Sequence, residues 1–580
     1  MKQFNHQSDI FELSAIRRRI LLSVFVLTFI GLFFKAVYLL HAEKENLQKR
    51  GNNLSVRNEV LQSYRGKIYD RNNELLAVSI LSFDLGINKY RDINKESEKY
   101  EQLARILNIP KKEISRIENN NQNKFFYLKR TISAEQAKEI SNLKITGIVL
   151  EKNYKRFYPG RESAAHIIGR MNIDGKGSEG LEKQFDNLLS GEQGYKKVLV
   201  DGKKRIVDDL KDIKLAKDGS DIKITIDRRL QHQTYQALMS QVEKHDADSG
   251  SAVLIDAKSG EILAMSNYPS YNPNASVKNF EFMKNRVLVD VFEPGSTMKP
   301  FAISAALELK KLDHNEIIPT PGGFIEVSGK KIRDDHPHDS YSVREVIKYS
   351  SNVGASKIGY RVEPEKLWSF YDKLGFGKKV NVNLPGETSG FLRAYNRWME
   401  SDHYRINYGY SINVNVLQLA QAYTVFANSG SIIKPKLIID NNTATKSEKV
   451  FSDKTANLIL GDLVSVVHEK GGTGNVIKIP GYVIAGKTGT AHKYVNGSYD
   501  RGYYSSFVGL APAKDPKFIM AVVIDNPKAI SHYGGAVAGP VFKTVIKDAL
   551  KLYDIPNDEN LTMFGVKEEE QAVTSSEQSI

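Results

Sequence analysis

Glu293-Pro294-Gly295-Ser296-Thr297-Met298-Lys299-Pro300-Phe301 opens a segment that runs on to Leu309. From Phe301 to Leu309 it is apolar on nearly every side, which predicts a buried helix rather than a surface one. Lys299 at its start is then a costly burial unless the ammonium has a task. Ser296 lies three residues earlier, a spacing that puts both side chains on one helical face. A serine hydroxyl is a weak nucleophile until a neighbouring base takes its proton. A lysine becomes that base when burial or a second cation depresses its pKa. Ser296 at a helix start also brings its backbone N–H near a reacting carbonyl, where it favours a developing oxyanion. Ser-x-x-Lys alone is a weak signal, because a capped surface helix produces the same spacing.

Two later stretches supply the missing parts. In Ser350-Ser351-Asn352 the hydroxyl of Ser350 can relay a proton and the amide of Asn352 can hold a substrate amide. Helix capping, which serine and asparagine do well, is the competing reading. Lys487-Thr488-Gly489-Thr490 follows the apolar Val483-Ile484-Ala485. Lys487 is the second cation, expected to depress Lys299 while staying charged. Gly489 lets backbone approach a ligand closely, and Thr488 and Thr490 can hydrogen-bond a carboxylate beside Lys487. Taken alone this is a turn after a strand. In this order within one domain, the three stretches describe serine acyl transfer at a substrate with a free carboxylate.

Outward from the trio, Ile222, Ile224 and Ile226 alternate with polar residues as a half-buried strand does. Ala252–Ile255 and Ile262–Met265 flank the turn Asp256–Gly260, and Phe518–Ile524 reads as a buried strand. A helix is expected from Pro540 to Tyr553. This is an α+β or α/β pattern, with a boundary near Gly219. Upstream, Glu43 to Gln62 reads as a polar helical stem. Arg65–Asn72 and Leu75–Val78 read as strand, turn and strand. Residues 90–145 carry helical signals, including a capping box from Ser133 to Gln136. Arg17, Arg18 and Arg19 precede an apolar run from Ile20 to Leu40, roughly 30 Å as a helix and so about one bilayer core. The arginines put the N-terminus in the cytoplasm. The run lacks the small-x-small end of a cleaved signal peptide, so a retained anchor is expected. The expected organisation is 1–19 cytoplasmic tail, 20–41 transmembrane helix, 42–218 pedestal, 219–555 catalytic domain and 556–580 a disordered acidic tail.

The 580 residues carry a net charge of +14 and no cysteine, which removes disulfides and thiolate chemistry. No nucleic-acid module accompanies the basic balance. Asp334-Asp335-His336-Pro337-His338-Asp339 lacks metal-ligand spacing and is expected to be a solvated loop near the site, so no metal and no cofactor are expected. Gly471-Gly472-Thr473-Gly474 lacks the end of a phosphate loop and reads as a flexible turn.

The chain resembles the class B penicillin-binding proteins, most closely the division-specific transpeptidase of Gram-negative type. The resemblance is carried by the trio, the anchor, Arg65-Gly66 with Asp70-Arg71-Asn72, and Gly180-Leu181-Glu182. It is carried also by Asp256–Met265, Tyr271-Asn272-Pro273-Asn274, Glu293-Pro294-Gly295, Tyr408-Gly409-Tyr410 and Tyr533-Gly534-Gly535. It implies an N-terminal pedestal without enzymatic activity and a serine β-lactamase-like domain with an antiparallel sheet flanked by helices. It also implies D,D-transpeptidation of D-Ala-D-Ala stem peptides in peptidoglycan at the septum, outside the inner membrane, with acylation by β-lactams. By this likeness Ser296 is the nucleophile, Lys299 the base, Ser350 the relay and Asn352 the substrate clamp. Lys487, Thr488, Gly489 and Thr490 form the carboxylate-binding edge, and the N–H groups of Ser296 and Thr490 form the oxyanion hole. A glycosyltransferase of the FtsW type and other divisome proteins are the implied partners. An elongation-specific transpeptidase shares all three motifs. A β-lactamase or D,D-carboxypeptidase would need a water-activating group that is not apparent, and a β-lactam sensor would need a larger inward signalling region.

Overall fold

The computed structural model describes residues 14–87, 97–110, 125–145, 147–201, 206–439, 447–494, 497–499 and 502–566. Of the disordered tail expected over 556–580, residues 567–580 lie outside the described residues, as does most of the cytoplasmic tail. Residues 556–566 are ordered instead, with Asp558 bridged to Tyr482, a 3₁₀ turn at Thr562–Phe564 and Val566 buried, because apolar side chains there have core to pack on. The chain divides into two compact units, Met1–Ser63 with Glu192–Asp218, and Tyr64–Gly191 with Gly219–Ile580.

In the first unit a helix spans Ala15–His41, apolar around its circumference, and it is long and apolar enough to cross a membrane. Phe25 and Phe29 are 75% and 70% exposed, and a helix with such a surface and no protein cover suits lipid. A polar helix follows over Lys44–Ser55. The helical stem expected to reach Gln62 stops there, and Val56–Leu61 is a strand instead. It pairs antiparallel with Gly194–Val200, Val56 opposite Leu199 and Val60 opposite Tyr195, and Ile206–Lys214 completes the sheet. These cross-strand partners, 130-odd residues away, outweigh local helix propensity by roughly a kcal/mol for each good pair.

In the second unit Ile68–Tyr69 and Leu75–Ile87 are strands joined by a turn, as expected. Helices cover Ser97–Leu107 and Ala134–Asn142, and both hydrogen bonds of the Ser133–Gln136 capping box form. Phe126–Ile132 is a strand between them. Glu182, fully buried, receives Arg65 Nε and Arg156 Nε at 2.7 Å each. That triad accounts for Arg65-Gly66 and Gly180-Leu181-Glu182 as one packed unit. The strand expected at Ile222–Ile226 is regular only over Ile222–Lys223, after which Ile224 makes an isolated antiparallel bridge to Ile438. Beyond it both faces are buried, because Thr225 turns inward too and donates its hydroxyl to Ile262 O at 2.7 Å.

A five-stranded antiparallel sheet carries the rest, in the order Ile262–Tyr268, Ser249–Asp256, Phe518–Asp525, Tyr503–Ala511, Ala485–His492. The last of these is an edge strand and holds Lys487–Thr490. Helices Arg228–Lys244 and Gly539–Leu552 share one apolar cluster with the sheet, around Leu238, Phe507 and Phe542. The helix Lys299–Glu308 is buried from Lys299 through Ala306. Phe301 in its first turn meets Phe376, Tyr423 and Phe426 at ring separations of 5.1–5.8 Å, in the arrangement that gives aromatic cores their fixed geometry.

Candidate active site

Ser296 sits in a 3₁₀ turn, Gly295–Met298, and the α-helix begins at Lys299. One continuous helix was expected; the tighter turn still eclipses residues three apart. Gly295 has φ +57°, and its N–H donates to Gly409 O at 3.1 Å. A Cβ on Gly409 would lie 2.0 Å from Gly295 O, so the glycine of Tyr408-Gly409-Tyr410 lets a second loop press directly on the serine turn.

Lys299 and Lys487 are both fully buried and converge on one hydroxyl. Lys299 Nζ donates to Ser350 Oγ at 3.1 Å and to the Ser350 carbonyl. Lys487 Nζ donates to Ser350 Oγ at 2.9 Å and to Thr488 O at 3.0 Å. Burial is the main cause that brings Lys299 down to about 7, and the carboxylates of Asp334 and Asp335 hold it from falling further. Burial, then the neighbouring Lys299, pushes Lys487 well below the ordinary lysine range. Desolvation is the first cause in both lysines, and repulsion between the two ammoniums adds to it. Two ammoniums on one buried oxygen cannot both keep their charge, so the pair holds one labile proton beside Ser350.

Ser350 takes a left-handed backbone, φ +61°. The capping job falls on Ser351, whose hydroxyl accepts from Gly354 N at 2.8 Å at the start of helix Asn352–Tyr360. Ser350 is thus released from capping and free to serve the lysines. Asn352 Nδ2 donates to Arg333 O at 2.7 Å. Asp334, in the loop read as a solvated turn, is docked instead. It accepts from Ser351 Oγ at 2.7 Å and from Val353 N at 2.9 Å.

On the strand edge, a Cβ at Gly489 would lie 2.3 Å from Ser506 Oγ and 3.0 Å from Thr297 Cγ2. The glycine lets its strand approach both the neighbouring strand and the serine turn closely. Thr490 Oγ1 accepts from Gly534 N at 3.1 Å, which ties in Tyr533-Gly534-Gly535. Thr488 shares a 2.7 Å hydrogen bond with Thr473 Oγ1. The Gly-rich segment read as a flexible turn therefore delivers Thr473 to the site.

Above the lysines lies a cavity of about 970 Å³ lined by Ser296, Ser350, Asn352, Thr488, Thr490 and Tyr410, among others. Serine, relay, amide and threonine edge thus face one space, while the two lysines sit beneath its floor. Sequence reading missed Asp334, Thr473, Glu293 and Tyr499. Glu293 Oε1 accepts from Ser411 N at 2.9 Å and from Tyr499 OH at 3.2 Å, and Arg405 Nη2 donates to that same phenol at 2.7 Å. Glu293 had a signal in the Glu-Pro-Gly-Ser stretch, Asp334 in the loop expected near the site and Thr473 in the glycine-rich run, whereas Tyr499 had none.

Comparison with known proteins identifies the family. The model of the penicillin-binding protein transpeptidase domain matches residues 250–547, and that of the penicillin-binding protein dimerisation domain matches residues 60–224. The chain is 38% identical to a probable peptidoglycan D,D-transpeptidase PbpC of Pseudomonas aeruginosa, over 93% of this chain and 95% of that one. It is 36% identical to the peptidoglycan D,D-transpeptidase FtsI of Escherichia coli, over 88% and 87%. Penicillin-binding protein 3 of Mycobacterium tuberculosis, solved with aztreonam, superimposes with a TM-score of 0.66 at 26% identity, over 87% of this chain and 99% of that one. With both domain models matched in order and relatives aligned over most of its length, the chain belongs to the penicillin-binding proteins.

Proposed function

We propose that this protein is a peptidoglycan D,D-transpeptidase that cross-links stem peptides through an acyl-enzyme on Ser296 and is acylated there by β-lactams. The observation that carries this reading is the Ser350 hydroxyl held between two buried, pKa-depressed lysines under a serine at the mouth of a cavity. Neutral Lys299 takes the Ser296 proton as Oγ attacks the carbonyl of the penultimate D-Ala. The N–H groups of Ser296 and Thr490 receive the oxyanion. The proton passes through Ser350 to the departing amine, so terminal D-Ala leaves neutral at nitrogen. The amine of a second stem then attacks the ester, gives up a proton along the same path and restores Ser296. Asn352 orients the substrate amide, and Lys487, Thr488 and Thr490, with Gly489 between them, hold the terminal carboxylate.

The reading extends to the cell. The helix Ala15–His41 anchors the chain with its N-terminus in the cytoplasm, and the pedestal of residues 42–218 and the catalytic domain of residues 219–555 lie outside. The partners are an FtsW-type glycosyltransferase and other division proteins at the septum. The likeness to the Escherichia coli protein named FtsI supports the septal role.

Ser296→Ala is expected to abolish labelling by a fluorescent penicillin while the protein stays folded; wild-type labelling would overturn the nucleophile assignment. Lys487→Ala is expected to slow acylation. A fluorescent fusion is expected at midcell, and a fusion lining the side wall would assign the protein to elongation instead.

A further inference from the structure

We propose that Glu469 is a positioning residue that couples the relay serine to the carboxylate-binding strand, through its side chain on one side and its backbone on the other. This rests on the acyl-transfer reading above. Glu469 follows the helix Asp453–His468 and is not itself at the cavity.

Its carboxylate grips the short helix Val343–Lys348, which runs straight into Ser350. Arg344 Nε donates to Glu469 Oε1 at 2.9 Å, and Lys348 Nζ pairs with Oε2 at 2.9 Å. Lys348 is 11% exposed at its side chain and Glu469 21%, so the pairs are partly desolvated and the geometry is bidentate across two residues four apart. From the last turn of that helix, Ser350 N donates to Ile347 O at 3.3 Å and Ser351 N to Val346 O at 3.0 Å. A shift of Val343–Lys348 is therefore a shift of Ser350.

The Glu469 carbonyl sets the other wall. It accepts from Gly472 N at 3.1 Å and from Asn475 Nδ2 at 2.7 Å. These bonds close the Gly471–Gly474 loop over the helix end, where Gly474 N also donates to Val466 O at 2.9 Å. The loop then presents Thr473 to Thr488 at 2.7 Å. Glycines are required there: a Cβ on Gly472 would fall 2.4 Å from Val466 O, and one on Gly471 would fall 3.0 Å from the ring of Tyr349, the residue before Ser350. The relay and the strand edge belong to different elements, and Glu469 is bonded toward both. Removing its charge takes the carboxylate from Lys348, while Arg344 keeps Asp462 Oδ1 at 3.5 Å and the backbone bonds persist, so the fault is transmitted through Lys348 to Ser350 before it reaches Thr488.

The test compares wild type, Glu469→Gln, Glu469→Asp, Lys348→Met and the double variant Lys348→Met/Glu469→Gln, as full-length protein in detergent. Stopped-flow labelling by a fluorescent penicillin and a thermal melt are recorded on each. Glu469→Gln is expected to lower the second-order acylation constant about tenfold, with a melting point within a few degrees of wild type. Glu469→Asp is expected to recover part of that loss. The double variant is expected to be less impaired than the product of the two single effects, because both variants cut the same contact. If Glu469→Gln does not fold, Lys348→Met alone decides, with a several-fold loss expected. Acylation of Glu469→Gln at the wild-type rate, a loss that only follows the unfolded fraction, or strictly multiplicative single effects would overturn the proposal. Continued labelling of Ser296→Ala would instead overturn the underlying reading.

Discussion

The acylation rate of this protein should follow a single ionisation near neutrality, and the site says where. Lys299 must be neutral to accept the Ser296 proton, and burial brings its pKa to about 7 from an ordinary 10.5. The rate is then small below that pH, half-maximal near it and flat above. Between pH 6 and pH 8 the neutral fraction rises about tenfold; an unshifted lysine would rise about a hundredfold over the same interval with no plateau. Stopped-flow acylation by a fluorescent penicillin at constant ionic strength separates the two curves. Asp334→Asn sharpens the experiment. The Asp334 carboxylate is the first of the influences that hold Lys299 up, so neutralising it should move the rising limb to lower pH and raise the relative rate at pH 6. The asparagine keeps one oxygen for Val353 N, which limits structural loss. A hundredfold rise without a plateau, or an Asp334→Asn limb displaced to higher pH, would refute the assignment of Lys299 as base.

Lys299→Met should abolish acylation yet raise thermal stability at pH 7 by about 1 kcal/mol or more, since a buried cation is replaced by a chain of similar volume; calorimetry at pH 7 checks it. The wild-type lysine binds its proton more tightly unfolded than folded. Its destabilisation is therefore full below pH 7 and fades as pH rises toward 10.5, so the gain from Lys299→Met should shrink with rising pH. Glu182→Gln strands two buried guanidiniums, Arg65 and Arg156, and should cost about 3–5 kcal/mol in chemical denaturation. Gly409→Ala drives a methyl into Gly295 O and should slow acylation at least tenfold by displacing the serine turn, measured at a temperature where the variant is folded. Phe301→Ala empties the aromatic centre behind the nucleophile and should cost about 3–5 kcal/mol.

The parts of the site carried by short local patterns were legible before any coordinates. Lys299 at the head of an apolar segment announced a buried ammonium, and the strand leading to Lys487 was visible in Val483-Ile484-Ala485. What sequence could not show were meetings between distant segments. Asp334 and Ser351 are 17 residues apart, and Thr473 reaches Thr488 from a loop whose glycines look like slack until Tyr349 and Val466 O are seen beside them. The depth of burial of the two lysines was hidden for a related reason: desolvation depends on the whole enclosing shell, and no pair of residues in a sequence reports it. In the first unit, local propensity favoured a helix to Gln62, and pairing with Gly194–Val200 overruled it.

That pairing has a bearing on how the chain is made. Leu61 leaves the ribosome roughly 130 residues ahead of its partner Gly194, which at about 5–20 residues per second is a wait of roughly 7–27 s. Through that interval Val56–Leu61 follows the polar helix Lys44–Ser55 with no partner strand yet made, the kind of edge that recruits wrong neighbours. Its middle is Arg57-Asn58-Glu59, exposed in the finished sheet, and such polar gatekeepers discourage stray strand addition. Those three residues therefore serve the nascent chain as much as the mature one, keeping the strand single until its true partner arrives.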